Sequence, residues 1–507
     1  MGDDTSNDSG KHVYENPAFT AEPSKETGSA VLEDKPKELT NGSVVLPDKP
    51  PKITEEEKKA EKRRILKNIF LISVAFLFNF TSFQGLSRLQ SSLHQDEGMG
   101  VINSAVLYAA LVLSCLLLPK IAITKLTHKW CLVVSFCCYI LWMGANGIGR
   151  WWSMTPASIF VGLAAAPLWT AQCSYFTKLA VRYAKYSGSD HQNVVTLFFG
   201  IFFMFFQMSN IFGSIISSTI LQQRPVNGSD NITGLEYCGQ KDCPYNNVSN
   251  PNLEKPESVV VWTMVGVFMG VAAIGVLLVA FLMDRLPPEL EDDDRPENLG
   301  RDIARLLVAT VKHLRHTPQL LLIPLTMYSG FEQGYYNAEW TKSFISCGLG
   351  IWMVGFATLP YGIVNACVSF TTGRLVKYIG RIPIFLAGFA VDLAIQITLY
   401  AWMPNPSEAA VFYIISALWG FTDGIWQTQI NALYGSIFSD ESEAAFSNYR
   451  MWESLGFIFS FAYSAYMCTL YKTIILTSVL CIGMSGYLTT EYITRRGKSF
   501  DIDSNHL

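Results

Sequence analysis

Apolar runs of about 20 residues, the length a helix needs to cross a bilayer, recur along most of this chain with short polar breaks between them. They fall at 67–88, 101–121, 130–148, 154–177, 194–221, 259–283, 319–340, 350–371, 383–402, 410–431, 449–470 and 473–493. The pattern predicts an all-α membrane protein of twelve transmembrane helices. Six form a first half, residues 65–283, before a charged linker at 284–318, and six form a second half at 319–494. Breaks between adjacent runs are expected near Pro119 and Tyr471. Residues 1–64 and 495–507 lack such runs. The first of these segments is rich in Pro, Ser, Lys and Glu, so it cannot bury enough apolar surface to fold alone, and a disordered tail is expected.

Basic residues sort into alternate connections. Lys58, Lys59, Lys62, Arg63 and Arg64 precede the first run, and others cluster at 120–129, 178–185, 301–315, 374–381 and 495–498. The intervening connections carry few, so the positive-inside rule puts both termini in the cytosol. The connection 222–258 then faces outward. It holds three glycosylation sequons, at Asn227, Asn231 and Asn247, together with Cys238 and Cys243, which are close enough in sequence to form a local disulfide. In the cytosolic tail, YENPAF at 14–19 is an Asn-Pro-x-Phe string of the kind that clathrin adaptors read, or a chance string in an unstructured segment.

The two halves echo each other. Trp169 and Gln172 in the fourth run match Trp426 and Gln429 in the tenth, Gln84-Gly85 matches Gln333-Gly334, and KLTHK from Lys125 matches KYIGR from Lys377. The repeat indicates a duplicated six-helix unit. Residues 373–381, GRLVKYIGR, resemble the major facilitator signature, in which a glycine lets two helices approach and basic residues lock their cytosolic ends.

That resemblance implies a central cavity lined by the first, fourth, seventh and tenth helices, and those helices carry many of the polar residues: Gln84 and Arg88; Gln172; Glu332, Tyr336 and Glu339; and Asp423, Gln427 and Asn431. Asp423, Gln427 and Asn431 are spaced i, i+4, i+8 and share one helix face. A carboxylate at bilayer depth costs roughly 2.5 kcal/mol or more, so Asp423 and Glu332 are read as functional groups facing a hydrated interior. Gln172 and Asn431 are read as interhelical contacts, worth only ~0.6 kcal/mol each on average. Arg88 and Glu339 are expected to pair across the outer side. Counting 1.5 Å per residue puts Asp423 nearer the cytosol and Glu332 nearer the outside, about 10 Å apart in depth. Asp392 is given no role.

Composition narrows the function class. Half the residues are hydrophobic and 16% are charged, and the net charge is −4. No basic stripe with interleaved aromatics suggests nucleic acid. There is no phosphate loop, zinc-protease helix or cysteine–histidine pair at metal spacing, so neither a cofactor nor an enzyme activity is expected. The seven histidines fall in tails or connections, which argues against a histidine proton relay through the core.

Five stretches, GLSRLQSSLHQDEGMGV, GLAAAPLWTAQCSYFT, FFGIFFMFFQMSNIFGSIIS, ALWGFTDGIWQTQINALYGSIF and AFSNYRMWESLGF, together resemble the uncoordinated-ninety-three family of ion-channel regulatory proteins. The resemblance covers about residues 65–495. It implies a plasma-membrane regulator acting as an accessory subunit of a two-pore-domain potassium channel and contacting other membrane subunits. The acids in the cavity keep a proton- or cation-coupled carrier of a small solute as the alternative, and a distant branch of the family suggests a trafficking escort for receptors. On the topological reading, at least one of Asn227, Asn231 and Asn247 carries a glycan. Glycosidase treatment should therefore increase gel mobility to that of a variant lacking all three. A surface-expressed wild-type protein that shows no shift would contradict the outward placement of the loop.

Overall fold

Thr54 accepts a hydrogen bond from the Glu57 backbone while the Glu57 side chain accepts one from the Thr54 N–H, a capping box that starts a helix inside the segment expected to lack structure. In the computed structural model this helix is α1, Glu55–Ser87. The structure describes residues 54–189, 191–222, 234–245, 250–287, 311–438 and 442–504, with isolated positions 290, 300, 301, 304 and 308. Asn227, Asn231, Asn247 and the tail through residue 53 lie outside the described residues. After α1 come α2 (Met99–Ile148), α3 (Trp151–Ser187), α4 (His191–Leu221) and α5 (Ser258–Leu277), which ends in a π-helical turn at Leu278–Leu282. The C-terminal part begins with α6 (Thr317–Tyr335), which runs on as a π-helix over Tyr336–Ser346. It continues with α7 (Met353–Ile379), α8 (Arg381–Ala401), α9 (Ala409–Ile437), α10 (Ser442–Ser464) and α11 (Thr469–Ser504).

Among the described residues, ten helical segments are long and apolar enough to cross a membrane, two of them within α2. The expected runs 319–340 and 449–470 are helical, in α6 and α10, but fall outside that set. They are the segments that carry Glu332, Glu339, Arg450 and Glu453. The chain stays helical through Pro119 and breaks at Thr127, within the expected gap between the runs 101–121 and 130–148. One boundary differs from expectation: α10 ends at Ser464 and α11 begins at Thr469, so Cys468 rather than Tyr471 lies in the connection.

The helices approach closely where glycines remove side-chain bulk. A Cβ on Gly162 of α3 would lie 2.2 Å from the Leu107 carbonyl of α2, and one on Gly420 of α9 would lie 2.3 Å from the Tyr361 carbonyl of α7. The same kind of contact therefore serves equivalent helices in the two parts of the chain. The parts meet along α2 and α10, where Tyr108 stacks on Phe457 with centroids 4.1 Å apart, and along α4 and α7, where the Ser218 hydroxyl accepts from the Phe356 N–H.

At the end expected to face the cytosol, Arg64, Lys67 and Asn68 of α1 all hydrogen-bond Asp284 beyond α5, at 3.0–3.1 Å. Burial pushes the Asp284 carboxyl up, but the hydrogen bonds from Lys67, Arg64 and Asn68 outweigh it and hold the group below its ordinary value. In the signature-like stretch, Gly373 has nothing near its missing Cβ, so it mediates no close approach. Gly380 is needed for its backbone instead, at φ 79° and ψ 178°. This turn aims Arg381 at Ser436 of α9 (3.0 Å) and Glu491 of α11 (3.7 Å). Thr127 occupies nearly the same conformation, φ 66° and ψ 161°. The structural match is thus Thr127 to Gly380, one position away from the match between Lys125 and Lys377.

The opposite end is closed by the 222–258 connection. Cys238 and Cys243 do not pair with each other: Cys238 bonds Cys347 after the π-helix, and Cys243 bonds Cys468 between α10 and α11. Spacing alone favoured the local bridge. Instead, single turns at Leu235–Tyr237 and Gly239–Lys241 deliver the two sulfurs to different elements. The connection also grips the N-terminal part, since Gln95 donates to the Leu253 carbonyl and Lys255 pairs with Asp96. Ser91 meets Thr341 (3.2 Å) and Ser92 meets Ser346 (2.8 Å) directly beneath it. The result is a covalent clamp between the two parts.

Two outcomes test this geometry. A protease site inserted within 291–299 should leave the cut protein as one band on a non-reducing gel and release two fragments with reductant. Separation without reductant would exclude both bridges. Thr127 sits in a backbone region occupied almost only by glycine, at a cost of about 1–3 kcal/mol, so Thr127→Gly should raise the melting temperature. A lower melting temperature would refute the strain.

Candidate functional site

The polar face of α9 ends up against protein, with every member spoken for. Asp423 lies in the middle of the helix and is 4% exposed. Its Oδ2 accepts from the Tyr361 hydroxyl at 2.7 Å and from Asn365 Nδ2 at 2.5 Å, both on α7. Hydrogen bonds to a charged group contribute about 1.5–3 kcal/mol each, so two of them offset an insertion cost of roughly 2.5–3.5 kcal/mol. One turn on, Gln427 Nε2 donates to Ser329 Oγ of α6 and to Glu453 Oε1 of α10, both at 2.9 Å. Asn431 Nδ2 donates to the Gln427 carbonyl at 2.6 Å within its own helix and to the Tyr449 hydroxyl of α10 at 3.4 Å, the interhelical contact expected of it. Glu453 also accepts from Tyr449 (3.2 Å) and pairs with half-exposed Arg450 (2.7 Å).

Two further acids join this layer. Glu332 of α6 accepts from the Thr422 hydroxyl at 2.9 Å. Since Thr422 precedes Asp423 in the chain, the two carboxylates lie at nearly the same depth rather than ~10 Å apart. The expected offset fails because α9 extends to Ile437, which makes position 423 central. Asp392 of α8 accepts from the Tyr328 hydroxyl and from Trp426 Nε1, each at 2.7 Å. Asp392, Glu332 and Asp423 thus converge on consecutive turns of α9.

The outer pair is different from the expected one. Glu339 bonds Lys472 of α11 at 2.8 Å, with both side chains buried, and accepts from Ser464 at 2.5 Å. A π-helix turns fewer degrees per residue than the ~100° of an α-helix. The winding from Tyr336 onward therefore carries Glu339 off the face of Glu332 and toward α10 and α11. Tyr336 stays on the inner face and stacks on Tyr361, with centroids 4.3 Å apart. Arg88 instead contacts Ser214 (2.7 Å) and Asn210 (2.9 Å) of α4 and Thr358 (3.1 Å) of α7.

The equivalent region of the N-terminal part is aromatic. Trp169 lies among Phe76, Phe80, Phe202 and Phe206, with centroids 5.2–6.0 Å away. Gln172 is buried there and accepts from the Cys173 thiol, and Gln84 is half-buried one turn before Arg88. A cavity of about 450 Å³ lies under the clamp, lined among others by Ser91, His94, Gln95, Asp242 and Lys342, and Glu332, Asp392 and Asp423 do not line it. Burial lowers the His94 imidazole to about 4, so that ring is neutral at physiological pH. Sequence reading missed Tyr361, Asn365, Tyr449 and Glu453. Asn365 and Glu453 were visible as isolated polar residues within apolar runs, whereas the tyrosines gave no signal of their own.

Known proteins share this fold and much of this sequence. A mutant of the nucleoside transporter NupG superposes with a TM-score of 0.57 at 11% identity, over 82% of this chain and 99% of that one. A D-xylose–proton symporter superposes with a TM-score of 0.56 at 12% identity, over 84% and 96%. Such distant likeness establishes a major-facilitator-like fold and nothing of activity. In sequence, the chain is 42% identical to protein unc-93 homolog A of Xenopus laevis, over 84% of this chain and 93% of that one. It is 33% identical to the putative potassium channel regulatory protein unc-93 of Caenorhabditis elegans, over 86% and 63%. The family model described as ion channel regulatory protein UNC-93 matches residues 94–488. With its multi-pass helical fold, this chain belongs to the UNC-93 family of ion channel regulatory proteins.

Proposed function

We propose that this protein is an accessory subunit that sets the activity of a potassium channel, of the two-pore-domain class, at the plasma membrane. In this reading α6 and α10 also cross the bilayer, which gives twelve spans in two six-helix halves with both termini cytosolic. The observation that carries it is the clamp. Alternating access requires the halves to part on the outer side, whereas here two disulfides and the Ser91–Thr341 and Ser92–Ser346 contacts join them there. A scaffold held shut suits a regulator better than a carrier. The C. elegans relative, a putative potassium channel regulatory protein, supports the same class of partner. The convergence of Glu332, Asp392 and Asp423 favours a second reading, a proton- or cation-coupled carrier, because clustered intramembrane acids commonly serve ion pathways. A trafficking escort for receptors is the third.

Currents recorded from a two-pore-domain potassium channel with and without this protein test the proposal. The expected result is a changed current on co-expression and none from this protein alone. Asp423 separates the first two readings. In a regulator it orders α7 against α9, so Asp423→Asn, which still accepts from Tyr361 and Asn365, should keep surface expression and channel modulation. Asp423→Leu strands both donors at about 1–3 kcal/mol each and should lower surface expression. Normal surface levels of Asp423→Asn with lost pH-dependent solute uptake would instead establish the carrier.

A further inference from the structure

Among the described residues only two arginine or lysine side chains are fully buried, Lys472 and Arg88. Lys472 has Glu339 at 2.8 Å. Arg88 is 4% exposed and has no carboxylate within ion-pair distance among the described residues. Its partners are the neutral oxygens of Ser214, Asn210 and Thr358 and the face of Tyr361, 5.5 Å from the guanidinium carbon. Arg88 Nε is buried and bonded to nothing. Arginine keeps its charge in proteins, and neutral acceptors satisfy its protons without cancelling that charge in a medium of low dielectric. Asp423 lies across Tyr361, hydrogen-bonded to that ring's hydroxyl, and so faces the guanidinium only through the aromatic ring. A uniformly structural arginine would be expected to take an acid from the adjoining helix, as Lys472 does.

Position adds a second argument. Arg88 joins α1 and α4 to α7 and therefore sits where the two parts of the chain meet. Ser91, three residues further along, lines the 450 Å³ cavity and contacts Thr341. The cavity wall also carries Lys342, which lies 4.0 Å from Asp242 on the same wall.

We propose that Arg88 anchors a binding site for a compact monovalent anion, a halide or a small carboxylate. The anion is reached from the outer cavity past the Ser91–Thr341 contact and is held by the guanidinium with Ser214 and Thr358 beside it. The proposal is independent of the channel-regulator reading, since a bound anion completes the junction whether or not the halves rock.

The test uses the full-length protein, purified in detergent with its disulfides intact and heated in equal concentrations of sodium chloride, acetate or gluconate. Chloride, acetate or both should raise the melting temperature over gluconate by roughly 2–4 °C, with saturation. A rise with chloride alone identifies a halide, and a rise with acetate alone identifies a carboxylate. Arg88→Gln should abolish the difference. Asp423→Asn, which removes the nearest competing negative charge, should lower the half-saturating anion concentration by roughly threefold or more, and it decides the matter if Arg88→Gln does not fold. Equal melting in all three salts, a saturable rise that survives in Arg88→Gln, or an unmoved midpoint in Asp423→Asn would each overturn the proposal.

Discussion

A charge held at bilayer depth cannot fall back on water, and this constraint organises the C-terminal part of the molecule. Glu332, Asp392, Asp423 and Glu453 each sit where a hydroxyl, indole or amide from a neighbouring helix donates to the carboxylate. The donors come from α6, α7 and α9 and the acids from α6, α8, α9 and α10, so these contacts tie five helices together. Replacing Asp392 with an apolar residue leaves donors unpaired on α6 and α9, and replacing Asp423 leaves two on α7. The polar layer is therefore an architectural device first, and its chemistry has to be read through that role.

The N-terminal part solves the same core-filling problem without charge. Trp169 and the phenylalanines around it meet edge to face, which fills volume and leaves no group needing a partner. The N-terminal part is thus aromatic where the C-terminal part is acidic, while glycine contacts at positions 162 and 420 bring helices close in each. Any ion-linked behaviour has its acids on one side only, with Arg88 facing them across Tyr361 from the other.

The clamp formed by the two disulfides bears on how such an asymmetric molecule works. In a freely rocking carrier the contacts between halves at each end are made and broken in turn. Here the contacts at one end include two covalent bonds between distant segments, with sequence separations of 109 and 225 residues. Loop closures of this length restrict the unfolded chain strongly, by about 4–5 kcal/mol in the chain-entropy account. Conformational change is correspondingly directed to the opposite end, where half-exposed ion pairs such as Arg64–Asp284 are weaker and reversible.

The sequence by itself determined the class of protein, the positions of most helices and the family. These depend on local properties: apolar run length, charge sorting between connections, and long strings specific to one family. It also singled out Asp423, Glu332 and Arg88, because an ionisable residue inside an apolar run is visible without a fold. Partners were decided only by tertiary structure. Cys238 bonds Cys347 rather than Cys243, Glu339 bonds Lys472 rather than Arg88, and Asp392 and Glu453 join a layer that the sequence did not assign to them. The physical reason is that a partner depends on the rotation and depth of two helices at once. A π-helical stretch, a break at Thr127 and a few extra residues on α9 each shift those quantities by an amount that no single segment encodes.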